Sequence, residues 1–373
     1  MTMLKELTED KILKLSNTQL YNLTFAPLIP NVKEIDSFTQ KQMDESAICV
    51  YGATIKPIRR RMERLAKEVK KHNPKLIIFS GGFGWDGNNF KGASSKELEK
   101  TWKTKTYQSR VNKRISDVIH TYPEVAQAII EKMKEMWNKD NKDSSEQDFN
   151  TYLNVFIEEV MEDYVQKMMN DKQFEEHLME LYQKTDTDKV DFVTWLKAYI
   201  KESFIRQFVL NRCTEADFMQ IIWNKVYNKD GNIKSNTVRE GKSFVTCENA
   251  ENCLQILQDY PDIKNLIVIN EWPYLLRAVL TTQKVADRLG SNIHIMGLPA
   301  DRSENLGFEF RDIEDYRNLL ITQIRKMVTY PDVGDMDITE YLNMNQISPD
   351  GPSIKIGNRM YNAIKSENYD RQL

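Results

Sequence analysis

The apolar positions of this chain follow two different periods. Short apolar runs stand at 47–53 (AICVYGA), 76–79 (LIIF), 266–269 (LIVI) and 293–297 (IHIMG), with a weaker, more polar candidate at 233–238. Runs without polar alternation read as strands buried on both faces, the signature of a parallel sheet. Between them lie stretches with helical spacing. Residues 56–71 place Met62, Leu65, Ala66 and Val69 on one face, and 214–227 open on Thr214 with Asp217 three residues on, a capping-box arrangement. Further helices are predicted at 246–257 with Thr246 as N-cap, around Leu275, Leu276, Ala278 and Val279, and at 312–330. Strand, helix, strand over 47–80 is a βαβ unit, expected to cross over right-handed.

This order predicts an α/β fold: a doubly wound, mostly parallel five-stranded sheet, Rossmann-like, with an inserted all-helical subdomain. The strand signal vanishes after Phe90 and returns after Gly231. Between them, helices are expected from Thr121-Tyr122-Pro123 onward, at 148–170, at 171–183 and at 188–210. The second of these carries an apolar stripe of Phe149, Tyr152, Leu153, Phe156, Val160, Tyr164 and Met168. The expected organisation is an N-terminal helical extension over 1–45, broken at Pro27–Pro30, and an α/β core over 46–92 and 211–330. A helical insertion fills 93–210, and a polar tail with little periodicity follows at 331–373.

Composition narrows the partners. A net charge of −3 gives no electrostatic case for nucleic acid or an anionic membrane surface. No apolar stretch approaches the roughly 20 residues needed to span a bilayer. The opening MTMLKELTEDKILKL reads as a mixed-charge amphipathic helix rather than a secretory signal. Four cysteines without a CxxC pair point to a reducing cytoplasm. The four histidines lack HxxxH or HExxH spacing, and Asp186-Thr-Asp188 lacks the glycine and terminal glutamate of a calcium loop, so no metal is expected. Neither GxxxxGK[ST] nor GxGxxG occurs.

In doubly wound sheets, ligands bind beyond the carboxyl ends of the strands, near the topological switch point. Those ends bring 52–54, 80–85, 239–246, 270–277 and 298–302 to one rim. Its candidate ligand-binding residues are Gly52, Ser80, Gly81, Gly82, Glu215, Arg239, Thr246, Glu248, Asn249 and Arg277. Each has a structural alternative. Gly81 and Gly82 either present amides to a ligand or make a tight turn. Glu215 and Glu248 either meet ligand or complement a helix dipole. Asn249 reads a ligand edge or satisfies a loop carbonyl. Arg277 either clamps a phosphate or carboxylate, or pairs with Glu215 or Glu248. Cys247, at a helix start, is either an activated thiolate or a small packing residue. Tyr51, Trp85, Trp272 and Tyr274 offer stacking surfaces or core bulk. Proton-moving groups on the rim are limited to Glu215, Glu240, Glu248, Glu271 and Cys247.

These motifs resemble the YdcF-like family of bacterial proteins, with its SanA and ElyC branches. The resemblance rests on Gly52, Arg61 with Ala66, Ser80-Gly81-Gly82, Thr214-Glu215-Ala216 with Met219, Arg239-Glu240, Thr246-Cys247-Glu248-Asn249-Ala250 and Arg277-Ala278. It covers about half the chain. Two departures stand out: a helical block between Ser80-Gly81-Gly82 and the Glu-Ala helix, and Tyr274 where the family has His. The resemblance implies a small anionic or nucleotide-like ligand, with S-adenosylmethionine or a nucleotide as candidate cofactor, and transferase or hydrolase chemistry. The competing reading is a non-catalytic sensor or interaction module whose helical insertion is the partner surface. Under either, the insertion can close over the pocket as a lid. Catalytic residues and oligomeric state are not set by the sequence.

Overall fold

The computed structural model describes residues 8–52, 55–82, 123–140, 149–184, 190–243, 245–300, 310–329, 353–356 and 359–362. They fall into two compact units, one within Met1–Trp102 and Thr214–Leu373, the other within Lys103–Cys213.

The first unit is built on five strands: β1 (Ser46–Tyr51), β2 (Leu76–Ser80), β3 (Asn236–Glu240), β4 (Asn265–Asn270) and β5 (His294–Pro299). Every pairing is parallel and the order is β3-β2-β1-β4-β5. The chain steps outward from β1 to β3, then returns to the other side of β1. The topological switch point therefore lies between β1 and β4. All residues of β1 and β2 are buried, as their unbroken apolar character requires. The edge strand β3 is polar and only partly buried, and it runs later than the weak candidate expected at 233–238. Register with β2, Ile78 beside Val238 and Ser80 beside Glu240, fixes it there.

Alternation divides the sheet's side chains between two helical layers. Ahead of β1 lie α1 (Glu9–Leu13), α2 (Asn17–Thr24), a 3-10 turn (Ala26–Leu28), α3 (Ile29–Asp36) and α4 (Gln40–Asp44). The 27–30 segment is thus helical, with Pro30 in the first turn of α3, where its missing N–H costs nothing. Helix α5 (Ile55–Lys71) follows β1. The second unit's helices are α6 (Pro123–Asp140), α7 (Phe149–Asn170), α8 (Lys172–Lys184) and α9 (Phe192–Arg212). The first unit resumes with α10 (Glu215–Ile222), which runs on as a π-turn (Trp223–Tyr227), then α11 (Thr246–Leu257), α12 (Trp272–Arg288) and α13 (Phe310–Thr329).

On one face Ala47, Cys49, Tyr51, Ile78, Leu266 and Val268 share a core with Cys253 and Leu254 of α11 and Leu275 of α12. On the other, α5 packs on β1 and β4 while α10 packs on β2 and β3. Trp272 is fully buried, edge-on to Phe25 (5.5 Å between centroids), Tyr21 (6.3 Å) and Tyr316 (6.0 Å). It ties α2 and α13 to the start of α12.

Within the second unit, Phe149, Leu153 and Ile157 line the buried stripe of α7, and the described residues there are all helical or in connecting turns. Trp137 stacks on Tyr152 at 4.1 Å. The C-terminal tail, expected to lack periodicity, contains an antiparallel pair, β6 (Ser353–Ile356) and β7 (Arg359–Asn362). The polar character of the tail hides this pairing from a reading of periodicity.

Replacing Trp272 with Ala should cost about 3–5 kcal/mol, the usual range for removing a large aromatic from a core. Urea denaturation monitored by circular dichroism measures it, and a loss below about 1 kcal/mol would mean the cluster is not part of the cooperative core.

Candidate functional site

The carboxyl edge of the sheet is organised by how closely α10 approaches it. The amides of Glu215 and Ala216 donate to the carbonyls of Gly82 and Gly81, both at 2.9 Å. Thr214 caps the helix, and its side chain exchanges hydrogen bonds with Asp217 as the spacing predicts. This seats the buried Glu215 carboxylate directly over two glycines. A Cβ on Gly52 would fall on Glu215 Oε2 and 3.0 Å from the Gly81 Cα. One on Gly81 would lie 2.7 Å from the same carboxylate oxygen. One on Gly82 would fall on the Ser243 carbonyl oxygen. These glycines are therefore demanded by close backbone approach.

Their amides do not form an anion cradle. Gly52 N–H donates to Ser80 O (2.5 Å), Gly81 N–H to Glu240 O (2.9 Å) and Gly82 N–H to Ser243 O (2.6 Å). Of the two readings of Gly81 and Gly82, the geometry takes the tight-turn one. The first-turn amides of Glu215, Ala216 and Asp217 in α10 are engaged likewise, so this helix start is not an open anion site.

At the ends of β2 and β3 lies a buried polar network. Glu240, 5% exposed, accepts five hydrogen bonds: from Ser80 Oγ (2.7 Å), Ser243 Oγ (2.7 Å), the amides of Lys242 (2.7 Å) and Ser243 (3.2 Å), and Asn252 Nδ2 (3.2 Å). Ser80 Oγ also lies 2.8 Å from the side-chain amide of Asn249. The atom it meets is Asn249 Oδ1, an acceptor, so this oxygen and the Glu240 carboxylate share the single hydroxyl proton of Ser80. Of the sequence candidates, Ser80 and Asn249 thus meet each other here. Ser243 and Asn252 were not among those candidates, since a Ser and an Asn in a polar loop carry no distinguishing pattern.

At the switch point, Arg61 of α5 is 3% exposed and joins the ends of β1 and β4. Its Nη1 donates to the carbonyls of Tyr51 and Gly52 (2.9 Å for Gly52), and Nε (3.0 Å) and Nη2 donate to Glu271 Oε2. The second oxygen, Glu271 Oε1, is buried and accepts no hydrogen bond among the described residues. The sequence carried a signal for this pair. Arg61 lies three residues beyond Ile58 and four before Leu65, on the apolar stripe of α5 and not on its charged face. Arg64 and Glu68 share that stripe and form a second buried ion pair at 2.8 Å.

The remaining candidates divide. Thr246 is the first residue of α11 and not its cap; Val245 holds that position without a side-chain bond. The Thr246 hydroxyl instead accepts from Arg277 Nη1 (3.1 Å), while Arg277 Nε donates to Gln323 (2.7 Å). Thr246 and Arg277 are therefore brought together. Arg239, nearly half exposed, pairs with the buried Asp217 on the α10 side of the sheet, because it alternates with the inward Glu240. Glu248 and Cys247 lie half-buried in the first turn of α11. Tyr51 and Trp272 are core residues rather than stacking surfaces; the Tyr51 hydroxyl lies 2.7 Å from Thr282 Oγ1, and burial pushes its pKa up. Trp85 and the parts of the rim at 53–54, 83–85, 244 and 301–302 lie outside the described residues. Among the described residues, no group of three or more His, Cys, Asp or Glu is placed to hold a metal ion, and no helix is long and apolar enough to cross a membrane.

The rim therefore presents three buried carboxylates, Glu215, Glu240 and Glu271, at the carboxyl ends of a parallel Rossmann-like sheet. No protein-family model, curated protein or solved structure matches the chain.

Glu240→Ala removes the acceptor of two hydroxyls, two backbone amides and a side-chain amide, and should cost about 2–4 kcal/mol through unpaired buried donors. Arg239→Ala removes a pair with one exposed partner and should cost less than about 1 kcal/mol. Urea titration of both variants checks the contrast; equal losses would show that the Glu240 network is not a structural anchor.

Proposed function

We propose that the strand-end rim binds a small nucleotide-like ligand through hydroxyl or amine donors, with one anionic group of the ligand taken by Arg277. The observation that carries this reading is the Glu215 carboxylate, buried over Gly52 and Gly81 beside the topological switch point. A carboxylate has several acceptor sites, and ribose hydroxyls and ammonium groups are donors that suit it. The engaged amides of Gly81, Gly82 and α10 argue against a phosphate cradle there and turn the reading to a guanidinium, that of the half-buried Arg277 beside Thr246. S-adenosylmethionine combines a ribose diol, an ammonium and a carboxylate, and so suits both parts. The motif resemblance to YdcF-like proteins points to the same ligand class. Glu215 and Glu271 supply the groups through which a transferase or hydrolase activity would move protons.

A second reading, an interaction surface on the helical unit, is favoured by one observation. Val165 and Met169, one turn apart on α7, are 42% and 76% exposed.

Thermal-shift titration with S-adenosylmethionine, adenosine, ATP and a sugar phosphate is the test. S-adenosylmethionine should stabilise the protein by roughly 2.7 kcal/mol at a hundred times its Kd. Glu215→Gln should weaken S-adenosylmethionine and adenosine alike by about tenfold, the loss of one charge-assisted hydrogen bond. Arg277→Ala should weaken S-adenosylmethionine more than adenosine. A ligand that stabilises both variants as much as the wild type binds elsewhere, and a panel without any stabilising member favours the interaction surface.

A further inference from the structure

We infer that Cys49 and Cys253 are a redox pair, and that peroxide closes between them a disulfide that clamps α11 to the central strand β1. The two sulfurs lie 3.2 Å apart, within hydrogen-bonding distance for thiols, although the residues are 204 positions apart in sequence. Both are wholly buried and both are free thiols. Isolated buried cysteines behave as small inert hydrophobes; two sulfurs meeting face to face across a strand–helix interface are placed for bond formation. The elements they join are central to the unit: β1 is the middle strand, and α11 packs on β1, β2 and β3. Cys253 follows Asn249 by one helical turn, and Asn249 meets Ser80 at the end of β2. A covalent link at Cys253 therefore holds the part of α11 that completes the rim.

The chemistry balances with peroxide as the only co-reactant. One thiolate attacks a peroxide oxygen, giving a sulfenic acid and hydroxide. The second sulfur then attacks the sulfenic sulfur and displaces its oxygen as water. In sum, two thiols and one hydrogen peroxide give one disulfide and two waters. Burial pushes the Cys49 thiol up, and its neighbour Cys253 pushes it in the same direction. The thiolate is scarce at neutral pH, so closure should be slow there and quicken as pH rises.

The experiment treats the full-length chain carrying Cys247→Ala with hydrogen peroxide at neutral and at mildly alkaline pH. Unreacted thiols are then alkylated under denaturing conditions, and tryptic peptides are mapped. In this variant, peptide 243–264 holds Cys253 alone and peptide 42–59, which runs through the uncleaved Lys56–Pro57 bond, holds Cys49. The expected product is these two peptides cross-linked, two hydrogens lighter than their sum, released by dithiothreitol and formed faster at the higher pH. The oxidised protein should melt at or above the temperature of the reduced one. Full alkylation of both cysteines after peroxide overturns the inference. So does a cross-link to Cys213 in place of this one, or a disulfide that lowers the melting temperature, which would mean that the two sulfurs are not prearranged. Wild type serves where Cys247→Ala fails to fold; fragment ions within 243–264 then separate Cys247 from Cys253.

Discussion

The carboxyl edge of this sheet depends on one close approach: the start of α10 lies against the ends of β1 and β2, with only glycine between them. Helix amides of Glu215 and Ala216 bond the carbonyls of Gly82 and Gly81, and the Glu215 carboxylate fills the space that side chains at 52 and 81 would take. That geometry brings a carboxylate out of water at the place where doubly wound folds hold their ligands. It also uses up the backbone donors that such glycine loops more often offer to phosphate. Charge and donor availability at this edge are the grounds on which we propose a ligand rich in hydroxyl or amine groups.

The two halves of the rim are built for different tasks. At the ends of β2 and β3, Glu240 is saturated by five donors, and a saturated buried carboxylate has no capacity left for a ligand. It fixes the loop after β3 against Ser80 and α11. At the ends of β1 and β4, the Arg61–Glu271 pair also bridges two strands, yet among the described residues nothing donates to the second, buried oxygen of Glu271. A buried ion pair of this kind contributes little net stability, since desolvation offsets most of the attraction, although breaking it is costly. Its position at the switch point makes it a polar floor beside Glu215.

The fold was legible because its central strands are apolar on both faces: 47–53, 76–79 and 266–269 can hardly be anything but buried strands, and the structure places β1, β2 and β4 there. The edge strand was harder. Its polar residues give no period, and pairing with β2 rather than local preference sets its position at 236–240. Local rules predicted the Thr214 cap correctly and the Thr246 cap wrongly, because the hydroxyl of Thr246 serves Arg277, which lies 31 residues away. Of the candidate site residues, sequence identified the glycines and Glu215 without showing that they touch. Their amides' partners, and the role of Arg61 as a link between strand ends, arise from tertiary contacts that no local pattern encodes.

The most direct test of this account is a crystal structure of the full-length protein soaked with S-adenosylmethionine or adenosine. The account predicts a ribose hydroxyl or an amine of the ligand within hydrogen-bonding distance of the Glu215 carboxylate, with the Gly81 and Gly82 amides still bonded to Glu240 and Ser243. A ligand bound away from Glu215 at the ends of β1 and β2, or one whose anionic group displaces those carbonyls from the Gly81 and Gly82 amides, would contradict it.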